Sequence, residues 1–420
     1  MRLGHCALTT CCCLLASRPP SRPIIAMSAG VVAPAADEAA AIKSAAAANE
    51  PFSDAELDAA MNSLRRLAPD SSVDWQALRA LYAERAHLKH KDWAQTIASA
   101  ERLEKILGGP GDADFRKIFG RVLDGGNWDA AASVANARAT DPGRSPPWIV
   151  LVTGLNGIRK TTSVHQPWFK DLLRQALGSA YDPEEPKDFL LEDYLPAGSD
   201  SFFRQLDFMI CTLALEQFER LYALDDVGAY AQFKEAIFAR YRTIAEMLGV
   251  LLVRAAQKRG LNVMVETSGR DVGMYEYIEA LFPDDGSLPI PYRMLVVNFA
   301  INDISFAERS VDARMLSEMA VGRAALAKAE AEPEGVVAAN AGGPYGSAVL
   351  AGVQADSERV WKQIAAATAE GEVGFGWYKA AIAIDADESA PWQARPLPPG
   401  GAEATATATT AFAFGAPPKA

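Results

Sequence analysis

Apolar and polar positions divide the chain into a helical first third and an alternating remainder. Ser53 precedes Glu56 by three residues, the spacing at which hydroxyl and carboxylate cap a helix start reciprocally, and Leu57, Met61 and Leu64 then recur on one face. A second helical stretch is predicted from Trp75 to Leu107, with Leu78, Leu81, Tyr82, Leu88, Trp93, Ile97 and Leu103 as its apolar positions. The breaker GGPGD at 108–112 stops it, and a shorter helix follows between Ala113 and Arg138. Residues 51–140 therefore read as an all-helical extension without evident chemistry.

The periodicity changes at Asp141. After DPGRSPP, the run Trp148–Thr153 (WIVLVT) has the length and β-branched content of a strand buried on both faces. Further strands are predicted at Phe189–Leu191, Val263–Glu266, Met294–Phe299 and Ala380–Ile384. Helical patterns separate them at 200–223, 229–258, 271–282 and 303–328, followed by a loop at 330–348 and a helix at 353–368. Such alternation calls for an α/β fold over 141–390, a mostly parallel sheet between two helical layers. The Ala-rich segment 37–50 reads as a linker, and the Pro/Gly/Ala/Thr-rich 391–420 as a disordered tail.

Charge and cysteine usage narrow the possibilities. The chain carries 41 Lys+Arg against 53 Asp+Glu, a formal charge of -12, which argues against a protein that coats nucleic acid. Cys6, Cys11, Cys12 and Cys13 crowd the start, leaving Cys211 alone in the rest, and His87, His90 and His165 form no zinc-spaced cluster with it. Residues 1–36 lack Asp and Glu, and combine Arg2, the apolar Ala7–Ala16 and SRPPSRP, so they resemble a targeting peptide for an organelle, a plastid or a mitochondrion. A start at Met27 would instead leave the protein in the cytoplasm, and without residues 1–27 the charge becomes 38 − 53 = -15. No other apolar run reaches the ~18–20 residues that span a membrane.

The candidate chemistry begins where the first strand ends. Gly154-Leu155-Asn156-Gly157-Ile158-Arg159-Lys160-Thr161-Thr162 matches the phosphate-cradling pattern G-x-x-x-x-G-K-[ST] at its first Gly, its Lys and its Thr. Glycines there let backbone amides turn toward phosphate oxygens. Lys160 is expected to reach the β- and γ-phosphates, and the Thr161 hydroxyl to bind Mg²⁺. Arg159 stands in place of the second signature Gly, and Pro167 would kink or end the following helix.

Glu266 closes the strand Val263–Glu266, at the sheet edge where open α/β folds bind ligands. It is a candidate to position the metal or a substrate hydroxyl, or else to pair with Arg270. Asp193, after the short strand 189–191, is the preferred base for an attacking hydroxyl, with Glu192, Asp200 and Asp207 as rivals. Arg309 and Arg314 are candidates to neutralise a transferring phosphoryl group, or to pair with Glu308 and Asp312 on the surface.

Over about 150–320 this layout resembles the zeta-toxin-like group of P-loop kinases. The likeness rests on GLNGIRKTT, the helix AEMLGVLLVRAAQKRGLNV entering a strand that ends Glu-Thr, and a later Arg-bearing helix. The resemblance implies ATP with Mg²⁺ and transfer of the γ-phosphate to a hydroxyl of a small-molecule acceptor, in some members a nucleotide sugar. It assigns Lys160, Thr161 and Glu266 to the lysine, threonine and strand-end glutamate of the family, and matches Asp193 only loosely. Two readings stay open beside it. GLNGIRKTT and ETSGR also look like the motifs of signal-recognition-particle GTPases, although VVNFAINDIS carries no guanine-reading motif. A non-catalytic nucleotide-binding module is the other.

Overall fold

The computed structural model describes residues 32–89, 92–126, 128–139, 146–164, 166, 168–169, 202–369, 371–387, 390–397 and 412–413. Six helices precede the sheet: α1 (Val32–Ala47), α2 (Asp54–Leu67), α3 (Trp75–Arg85), α4 (Trp93–Leu107), α5 (Ala113–Gly125) and α6 (Trp128–Ala139). The predicted capping box opens α2: the Ser53 hydroxyl accepts from the Glu56 amide at 3.3 Å, and the Glu56 carboxylate accepts from the Ser53 amide at 2.8 Å. Residues 75–107 are two helices rather than one. Asp92 starts the second by accepting from the Gln95 amide at 3.2 Å, a polar start signal that the apolar periodicity runs across.

The linker expected at 37–50 is helical through Ala47. Ala39 is buried and Lys43 of α1 reaches Glu235 at 2.7 Å, so docking on a neighbouring helix gives this Ala-rich segment its order.

Among the described residues a six-stranded sheet follows, in the order β2-β1-β3-β4-β5-β6. Its strands are β1 (Trp148–Thr153), β2 (Val263–Glu266), β3 (Arg293–Ile301), β4 (Tyr378–Asp387), β5 (Ala390–Leu397) and β6 (Phe412–Ala413). The first four in that order run parallel, and β5 and β6 add antiparallel. The tail expected to be disordered from 391 therefore begins as a strand. Its backbone pairs with β4, and Arg395 reaches Asp385 at 2.8 Å. The predicted strand 189–191 lies outside the described residues.

Between strands lie α7 (Lys160–Val164), α8 (Phe202–Leu213), α9 (Leu215–Tyr222), α10 (Val227–Arg259), α11 (Val272–Leu281), α12 (Ile304–Leu326), α13 (Pro333–Ala338) and α14 (Leu350–Ala366). The loop expected at 330–348 thus contains the short α13. Alternation along β1 sends Ile149 and Leu151 into one apolar cluster and Trp148, Val150 and Val152 into another, so both faces of the sheet are covered. The first cluster is continuous with Leu57, Leu64, Leu78, Leu103 and Phe115 of the N-terminal helices, which share its core.

The 33-residue α10 joins the two halves. Arg240 on it donates to Glu56 at 2.8 Å, to the Glu50 carbonyl at 2.7 Å and to the Pro51 carbonyl at 3.1 Å, and its guanidinium lies over Phe52. Cys211, the one cysteine among the described residues, is buried with a free thiol. No helix among the described residues is long and apolar enough to cross a membrane.

Candidate functional site

From β1 the chain connects to β2 on one side and from there to β3 on the other, so the strand order reverses at the carboxyl end of β1. Parallel sheets open a crevice at such a switch point. The predicted phosphate loop fills it. Gly154 has φ 131° and Gly157 φ 87°. A Cβ at Gly154 would come within 2.5 Å of the Phe299 carbonyl, and one at Gly157 within 2.6 Å of the Ala307 carbonyl, so both turns require glycine. Arg159 also adopts a left-handed conformation, φ 67°, although it carries a Cβ. The chain keeps the geometry of the missing glycine and accepts a strain of about 1–2 kcal/mol. Ile158 points down into the second core cluster, so only its backbone faces the crevice.

Lys160 begins α7, and its side chain turns back into the loop. The ammonium is buried and donates to the Gly154 carbonyl at 2.7 Å and the Leu155 carbonyl at 2.9 Å. Glu266 stands 3.7 Å away, placed by the register that sets it beside Val152. Burial pushes the Lys160 pKa below its ordinary value; Glu266 pulls it up and the positive charge of Arg314 pushes it further down. The Thr161 hydroxyl donates to Glu266 at 2.7 Å. Helix α7 stops at Val164, short of Pro167, which lies outside the described residues.

The remaining candidates separate. Arg314 borders the crevice and donates to the Gly343 carbonyl at 3.1 Å. Arg309, one and a half turns earlier on α12, is half exposed; it donates to Ser305 at 3.2 Å and lies 3.7 Å from Asp303. Five residues from Arg314, it lies on another face of the helix and off the crevice lining. Asp193 falls outside the described residues, as do its rivals Glu192 and Asp200, while Asp207 on α8 borders the crevice.

Other residues also line the crevice. Arg270, just beyond β2, donates to the Tyr345 hydroxyl at 2.7 Å, so it does not pair with Glu266 as the alternative reading expected. Tyr345 belongs to a loop, Ala341–Tyr345, that lies across from Asn156 and Gly157. A fully buried network holds that loop. Lys234 meets Glu318 at 2.6 and 2.8 Å and Asn340 at 2.9 Å, and Glu318 also accepts from Tyr230 at 2.5 Å and from the Ala341 amide at 3.0 Å.

The crevice widens into a cleft of ≈ 1040 Å³ whose far wall comes from the N-terminal helices and their connections, including Lys43, Asn49, Lys89 and Trp93. Trp93 had been read only as an apolar core position. The AGGPYG run at 341–346 was the one sequence signal for the facing loop, and nothing in the pattern tied residues so early in the chain to this site.

Among the described residues, no group of three or more His, Cys, Asp or Glu forms a self-sufficient metal site. The Thr161–Glu266 oxygens instead suit Mg²⁺, which takes few protein ligands and completes its shell with water and phosphate. Two glycine turns that a side chain would block, around a buried ammonium held by two loop carbonyls beside Glu266, suit a bound polyanion. Comparison of the chain with protein-family models, curated proteins and solved structures finds no match.

Proposed function

We propose that the chain is an ATP- and Mg²⁺-dependent phosphotransferase that moves the γ-phosphate to a hydroxyl of a small molecule, as its resemblance to zeta-toxin-like P-loop kinases implies. The observation that carries this reading is the Lys160 ammonium, enclosed by the loop Gly154–Thr161 and facing Glu266 at the sheet's switch point. In this reading the loop amides bind the triphosphate, and Lys160 exchanges its two carbonyl partners for phosphate oxygens. Thr161 and Glu266 would hold the magnesium ion, which would supply charge neutralisation at the phosphates. Arg314, fixed by the Gly343 carbonyl, stands ready to stabilise charge on the transferring group. Arg309 has no part in this. The acceptor's proton goes to a carboxylate: Asp193 from the sequence pattern, or Asp207, which borders the cleft.

The test is ATP and GTP binding by the full chain, followed by ADP release over a panel of hydroxyl acceptors. ATP preference with acceptor-stimulated release is the expected result. GTP preference with slow acceptor-free hydrolysis would favour a switch GTPase instead, and nucleotide binding without any turnover a non-catalytic module.

A further inference from the structure

Helix α1 walls one side of the cleft with Lys43, Ala46 and Ala47, and Asn49 follows at its end. It is held unlike the helix after it. Where α2 buries Leu57, Ala60, Met61, Ser63, Leu64 and Leu67, α1 buries Ala39 alone among residues 36–47, with Ile42 partly covered. Two ion pairs add to this: Lys43 with Glu235 of α10 at 2.7 Å, and Glu38 with Arg220 of α9. Lys43 is 44 % exposed and Arg220 59 %. Ion pairs so open to water stabilise little, and salt screens them.

The end of α1 is fixed as firmly as its length is not. Asn49, left-handed at φ 52°, stops the helix. Its amide donates to the Ala46 carbonyl at 3.2 Å and the Glu50 amide to the Ala45 carbonyl at 2.9 Å, the paired bonds of a left-handed helix stop. Directly beyond, Arg240 grips the Glu50 and Pro51 carbonyls and covers Phe52, its own side chain only 3 % exposed. A loosely docked arm of 16 residues, about 24 Å, thus runs beside the cleft into a clamped root. Asparagine takes the left-handed conformation at small cost and leaves it as readily, so Asn49 can absorb a change of direction. Alanine is the strongest helix former, so the arm can move as a helix before it melts.

We infer that α1 is a hinged lid: it swings off α10 about Asn49, opens that side of the cleft, and docks again over an occupant. Segments with few buried contacts open far below the free energy of global unfolding, and lids are drawn from them. An occupant that touches Lys43, Ala46 or Ala47 meets those side chains only when the lid is down, so it shifts the balance toward closure. The lid requires the cleft and not the phosphotransferase reading.

Lys43 offers the one tryptic bond between Arg22 and Arg65, so trypsin reports on the lid in the full chain. Hydrogen exchange should first show amides of 39–47 exchanging at least ~100-fold faster than those of 244–252 in α10. Ala39→Glu, which sets a charge in the docked face, should speed cleavage at Lys43 about 10-fold while the urea midpoint of the whole chain stays put. Mg-ATP at saturation should slow the same cleavage about 5-fold or more. A further readout needs no nucleotide: phenylglyoxal should label Arg242, which lines the cleft, at least about threefold faster in Ala39→Glu, with Arg254 farther along α10 unchanged.

Amides of α1 as protected as those of α10 overturn the lid, as does cleavage or Arg242 labelling that Ala39→Glu leaves unchanged. Mg-ATP that binds by calorimetry yet leaves cleavage at Lys43 unaltered overturns closure over an occupant. A chain that binds no Mg-ATP while Ala39→Glu shows both accelerations would count against the phosphotransferase reading and leave the lid standing.

Discussion

Among the described residues two buried lysines face glutamates, and the two pairs are built differently. Lys234 and Glu318 are both fully enclosed, and a tyrosine, an asparagine and a backbone amide complete their hydrogen bonds. Lys160 and Glu266 stand 3.7 Å apart, Glu266 remains partly open to the cleft, and two loop carbonyls occupy the ammonium. The first pair is closed to any further partner. The second keeps an open side, and in the proposed reading a polyanion takes the place of the two carbonyls. A buried ion pair rarely stabilises more than matched apolar residues would. What Lys234 and Glu318 contribute is therefore position: they fix the Ala341–Tyr345 loop and set the helix on which Arg314 lies one turn before Glu318.

Breaking the closed pair should have the largest effect. Lys234→Met leaves Glu318 buried without its counter-ion, and urea denaturation should show a loss of about 3–5 kcal/mol. The double change Lys234→Met/Glu318→Leu should recover most of it; a single variant as stable as the parent would remove the contrast between the pairs. Breaking the open pair should spare the fold and damage the chemistry. Lys160→Met should lower single-turnover phosphoryl transfer by roughly 10²–10³-fold while ATP affinity falls much less, because most of the charge stabilisation develops in the transition state. Equal losses in both would deny Lys160 that role.

Arg159→Gly sharpens the comparison by removing strain beside the open pair. Relief of the left-handed conformation, less the added freedom of the unfolded chain, should raise stability by about 0.5–1 kcal/mol. A destabilised variant would mean that the guanidinium repays its backbone cost through contacts of its own.

The smallest effect concerns pH. The folded Lys160 pKa is lowered by burial, so between that value and the ordinary 10.5 the unfolded chain holds more protons and stability rises with pH. Denaturation measured from pH 8 upward should give a shallower rise for Lys160→Met; an unchanged slope would place the ammonium in contact with water.

The residues of the open pair, though not their pairing, were singled out from the sequence and those of the closed pair were not, for physical reasons. A phosphate loop joins a strand to a helix within a few residues, so Gly154, Lys160 and Thr161 write their geometry into local spacing. Glu266 was readable too, because the end of a parallel strand fixes where its last side chain stands. Lys234 and Glu318 lie 84 residues apart on helices whose patterns give no sign that two charges meet inside. Trp93 and Lys89 were invisible as site residues for the same reason, since tertiary docking alone brings the N-terminal helices to the cleft. The failures at 37–50 and 391–397 share a cause: composition describes what a segment does alone, and here α10 and β4 supply partners.

Helix α1 carries a consequence for maturation. It starts at Val32, and the cleft wall draws on Lys43, Ala46 and Ala47 from its last turns. If a leader is trimmed from this protein, a cut after residue 36 would already clip the helix, and one a few turns later would strip a side from the chamber. The permissible scissile bond is thus bounded by architecture: cleavage beyond Lys43 would release a chain without part of its cleft wall.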